Sequence, residues 1–97
     1  MSAVKTAPNE HAESLAIEAL IWLTQEPDLM SRFLTLTGID ASAIRSAARE
    51  PGFLGGVLQF LLAHEPTLMR FCEATENEPN SVVTAARQLP GGQMNEF

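Results

Sequence analysis

The feature that most restricts the fold is that the chain repeats itself. Glu26-Pro27-Asp28-Leu29-Met30 recurs as Glu65-Pro66-Thr67-Leu68-Met69, 39 residues later. Arg32-Phe33 recurs as Arg70-Phe71, and Ala47-Ala48-Arg49 as Ala85-Ala86-Arg87, both 38 residues later. Ile44 corresponds to Val82, and Trp22-Leu23 to Leu61-Leu62. A single deletion between Met69 and Arg70 accounts for the change of offset. The repeat predicts an all-α fold: a compact bundle of five or six short helices built from two similar three-helix units, residues 9–50 and 51–89. The two units are expected to pack about a pseudo-twofold axis, with the first and fourth helices side by side. A repeat of this kind describes how a core is built and carries no chemistry by itself.

The periodicity between Asn9 and Leu89 is helical throughout, and no run reads as a strand. A first helix is expected from about Asn9 to Gln25, capped by Asn9, with Ala12, Leu15, Ala16, Ala19, Leu20 and Leu23 in one stripe. Ile17 and Ile21 fall outside that stripe, and Trp22 at its edge. Pro27 suits the first turn of a second helix, about Pro27 to Thr37, with Leu29, Met30, Phe33, Leu34 and Leu36 inward and Gly38 as its stop. Asp40 is expected to cap a third helix, about Ala41 to Arg49.

Phe53 to about His64 is apolar nearly all round, which places a fourth helix at the centre of the bundle. Gly55 and Gly56 would each cost about 1 kcal/mol relative to alanine, so close approach of a neighbouring helix is expected there. A fifth helix starts at Pro66 and carries Leu68, Met69, Phe71 and Cys72 inward; a sixth runs from about Pro79 to Leu89. Residues 1–8 read as a flexible leader and 90–97 as a flexible tail.

Twelve acidic against six basic residues leave a net charge of −6. Such a surface repels phosphate backbones and anionic lipid at long range. A hydrophobic fraction of 45 % places the chain outside the compositionally disordered class. Cys72 is the sole cysteine, which excludes an intramolecular disulfide and points to a reducing compartment. Met1 to Pro8 lacks the apolar region of a secretory signal, and the longest apolar stretch, Phe53 to Ala63, is far short of a membrane span. A cytoplasmic protein is expected, with no membrane association.

The stretches Ser31-Arg32-Phe33-Leu34-Thr35-Leu36-Thr37-Gly38-Ile39-Asp40 and Ala48-Arg49-Glu50-Pro51-Gly52-Phe53-Leu54-Gly55-Gly56-Val57-Leu58-Gln59-Phe60-Leu61-Leu62 resemble a family of short bacterial all-helical domains of unknown function. The resemblance covers about residues 10–90. It implies an all-helical cytoplasmic bacterial protein and brings no activity or site residue.

Leu34, Gly38, Ile39 and Ile44 lie near the spacing of a helix-turn-helix motif. Arg45 and Arg49 would then contact nucleic acid. Against this alternative, the reading helix is alanine-rich, offers no asparagine or glutamine for adenine, and belongs to an acidic chain. The second unit also carries Glu76 at the glycine position.

His11 with Glu10 and Glu13, and His64 with Glu65, are poor material for a metal site, which needs three or four converging ligands. Cys72 falls on an apolar helix side and reads as a core residue. The glutamates are spread as solvated faces, so no catalytic residue, cofactor or metal is expected and the chain is not read as an enzyme.

The remaining reading is protein association. Ile17, Ile21 and Trp22 form the candidate interface, unless the second unit covers them. The partner would be an unidentified protein or a second copy of the chain in a homodimer. A small protein-interaction or regulatory domain is therefore the expected function.

Overall fold

Proline opens most of the helices. It fixes a helical φ and lacks an N–H that the first turn would leave unbonded. In the computed structural model, which describes residues 8–91, Pro8 opens α1 (Pro8–Thr24), Pro27 opens α2 (Pro27–Thr37) and Pro79 opens α6 (Pro79–Gln88). Pro66 sits in the first turn of α5 (Glu65–Thr75). Between them lie a 3-10 turn (Ala41–Ala43), a one-turn α3 (Ile44–Ala47) and α4 (Phe53–Leu62). The described residues form six α-helices and no strand. No helix among them is long and apolar enough to cross a membrane. Of the leader expected over residues 1–8, Pro8 belongs to α1 and residues 1–7 lie outside the described residues, as do residues 92–97 of the tail expected over 90–97.

Three helices make the centre. α1 packs on both α4 and α6, and α4 also packs on α5 and α6. The α1 stripe is buried as its spacing requires: Ala12, Leu15, Ala16, Ala19, Leu20 and Leu23. α4 contributes Val57, Leu58 and Leu61, and α6 contributes Val82, Ala85 and Ala86. The alanines thin the contact and let the axes of α1 and α6 approach.

α2 and α5 close the two sides with one aromatic anchor each. Phe33 packs edge-to-face on Phe53 and Phe60, with centroids 5.8 and 5.3 Å away, and Phe71 packs on Trp22 at 5.6 Å. Such pairs are worth about 1 kcal/mol beyond the area they bury.

α2 and α5 end alike. Gly38 and Glu76 both take left-handed backbone, with φ of 75° and 60°. Their N–H groups donate to the carbonyls of Leu34 and Cys72. Thr37 and Thr75 each donate a hydroxyl to the carbonyl four residues back, on Phe33 and Phe71. The third elements differ. α6 has ten residues and buries Val82, Ala85 and Ala86, whereas α3 has four residues and none of them is fully buried.

The third helix does not run from Ala41 to Arg49. Only Ile44 offers a large anchor in that segment, and Pro51 disfavours helical backbone at Glu50. The chain leaves α3 by tight turns, Arg49 N–H to Ser46 and Glu50 N–H to Ala47. Asp40 stands at the N-cap of the 3-10 turn without a side-chain cap bond. α1 starts at Pro8, so Asn9 lies inside the helix. A Cβ on Gly56 would meet nothing within 4 Å, so no neighbour presses on it. Gly55 is buried within α4, and a Cβ on Gly91 would come 2.5 Å from the Gly52 carbonyl oxygen. Leu36 and Met69, assigned inward by pattern, are 67 % and 43 % exposed.

Candidate protein-contact groove

Successive helix positions are about 100° apart, and that spacing decides what α1 shows to solvent. Ile17 and Ile21, one turn apart, lie beyond the Leu20 flank of the buried stripe. They are 46 % and 54 % exposed, so the described residues of the second half do not cover them. Trp22 turns to the opposite flank, beside Leu15 and Ala19, and is only 7 % exposed. It is a core residue and leaves the candidate interface. Besides Phe71 it carries the guanidinium of Arg70, 5.9 Å from the indole centroid.

Facing Ile17 and Ile21 is the stretch after α2. The left-handed Gly38 turns the chain into the 3-10 turn and α3, whose residues share an open pocket with α1. Ala41, Ser42, Ile44, Arg45 and Ala48 form one wall of an open groove of about 710 Å³, and Ile17, Leu20 and Ile21 form the other. The floor is aliphatic, with Ile44 and Ala48 half-buried against the core. Arg45 is the one charged residue of the lining.

The structure thus brings together residues that the sequence assigned to rival readings: Ile17, Ile21 and Arg45. It does not bring Arg49 to them. Arg49 lines a separate depression with Glu13, Glu50 and Leu54. Sequence reasoning missed Leu20, Ile44 and Ala48 as groove residues, because the same apolar pattern serves a core face.

The other candidates stay apart. His11 lies over α6 beside Ser81 and Thr84, and His64 Nδ1 is 2.8 Å from the buried Thr67 hydroxyl. Among the described residues no three of His, Cys, Asp and Glu gather as a metal site. Cys72 is buried, and burial pushes its thiol pKa up, away from the reactive thiolate.

The profile of a family described as "Protein of unknown function (DUF3572)" matches residues 9–92. The chain belongs to that family. DUF3572 membership covers every helix that shapes the groove and brings no activity with it. No curated protein and no solved structure matches the chain.

Proposed function

We propose that this DUF3572 domain is a noncatalytic protein-association module acting in the cytoplasm, with the groove between α1 and α3 as its contact surface. One observation carries the reading. Two isoleucines a single turn apart keep about half their surface in water, beside a furrow of small side chains. An apolar ridge next to an apolar furrow on an otherwise acidic surface is what a specific contact site requires.

We also read the halves as one duplicated unit whose third helix has diverged. Val82, Ala85 and Ala86 are buried on α1 and α4, while their counterparts Ile44, Ala47 and Ala48 are only half-buried. The short α3 leaves the Ile17 flank of α1 uncovered, and the groove is the space that results.

The helix-turn-helix alternative gains no support. A single α-turn over Ile44–Ala47 is too short to lay several side chains along a major groove.

The test is affinity capture at high salt with the full chain and with Ile21→Glu, followed by hydrogen exchange on the captured complex. Partners retained by the native chain and lost by the variant, with protection over residues 17–21 and 41–48, are expected. Identical capture by both proteins, or capture of nucleic acid at low salt alone, refutes the reading.

A further inference from the structure

We infer that the occupant of this groove is a second copy of the same chain, in a twofold pair that seats the Ile17–Ile21 ridge of each copy in the furrow of the other. The inference rests on the association reading and adds the partner. A twofold contact presents one patch to itself, so the patch must be self-complementary. This one is: an exposed aliphatic ridge borders a furrow walled by the small residues Ala41, Ser42 and Ala48.

Charge complementarity points the same way. Arg45 is a lone cation in the groove of a chain with 12 acidic residues. Its complement is an aliphatic ridge accompanied by carboxylates. α1 is such a ridge, because Glu13 and Glu10 are exposed one and two turns before Ile17 on the same side of the helix. An α1 helix lying in the groove brings those carboxylates toward the Arg45 of the opposite copy. The net charges of the two copies repel, so burial of the isoleucines drives the pairing and added salt does not dissolve it.

Analytical ultracentrifugation of the full chain tests this. The native protein is expected at twice its 10.5 kDa mass at high concentration, in low and high salt alike. Ile21→Glu should raise the dimer Kd at least ~30-fold with unchanged helical circular dichroism. Ser42→Arg blocks the furrow from the other wall and should do the same, while Leu36→Glu, on exposed surface of α2, should change nothing. Arg45→Glu should weaken the dimer about tenfold, and adding Glu10→Arg with Glu13→Arg should restore it. A native chain that stays monomeric to millimolar concentration overturns the inference, as does equal weakening by Leu36→Glu. If the chain is monomeric but capture of another protein still depends on Ile21, the association reading stands and the homodimer falls. If neither dimer nor Ile21-dependent capture is found, both fall.

Discussion

The guanidinium of Arg70 on α5 pairs with the carboxylate of Glu26 at the N-cap of α2, while the same group lies over the Trp22 ring. Glu26 and Arg70 come from opposite halves of the chain, so their pair joins α5 to the α1–α2 corner. The counterpart residues, Arg32 and Glu65, form no ion pair among the described residues. The halves are therefore not joined symmetrically at this corner.

Arg70 and Glu26 are both partly exposed, so solvent screens their pairing. Arg70→Ala should lower the unfolding free energy by about 1 kcal/mol or less, combining a screened ion pair with a surface cation–π contact. Arg70→Lys should lose part of this, since lysine keeps the charge without the flat guanidinium. Urea unfolding followed by Trp22 fluorescence measures both.

Trp22 and Ile21 are neighbours in sequence with opposite roles. Trp22→Ala should destabilise the fold by about 3–5 kcal/mol, because it empties a core position against Phe71. Ile21→Ser should change monomer stability by only about 0.5 kcal/mol. Equal losses, measured by chemical denaturation at a concentration where the chain is monomeric, would contradict the exposure of Ile21.

Two glycine-related positions should yield stability. Glu76 holds left-handed backbone that costs a non-glycine residue about 1 kcal/mol, so Glu76→Gly should raise the melting temperature. Gly56 lies within α4 with free space at its Cβ position. Gly56→Ala should stabilise the protein by about 0.5–1 kcal/mol. Calorimetry of each variant reads both effects.

Cys72 predicts a dependence on alkaline pH. Its folded pKa is raised by burial, so the folded state holds the thiol proton more tightly than the unfolded chain does. The resulting stability is complete below the ordinary thiol pKa of about 8.5. It is lost as the pH rises toward the folded value. Cys72→Ser should remove this part of the alkaline decline. An uncharged thiol reagent at mild pH should modify the native chain only at the rate of unfolding, and fast labelling would refute the burial.

Much of the fold was legible in the chain. The prolines and Gly38 mark helix boundaries through backbone geometry, and the α1 stripe identifies its buried face through helical spacing. The third helix was not legible, because alanine and serine permit a helix there without anchoring one. Leu36 and Met69 misled for a related reason: an apolar side chain next to a buried one can still point to water. The exposed side of α1 was half legible. The departure of Ile17 and Ile21 from the stripe marked their exposure, whereas Trp22 was grouped with them by closeness in sequence when its angle on the helix placed it on the other flank.

The sequence by itself determined the order of the helices and, α3 apart, most of their extents, because prolines, the Gly38 stop and periodicity act over a few residues. Only the tertiary structure decided that α6 buries an apolar face in the core while the short α3 buries no residue fully. That outcome depends on how much apolar volume each third helix brings to the shared core. Val82, Ala85 and Ala86 seal one flank. Ile44 and Ala48 reach the core only in part, and the flank they leave open is where Ile17, Ile21 and Arg45 meet.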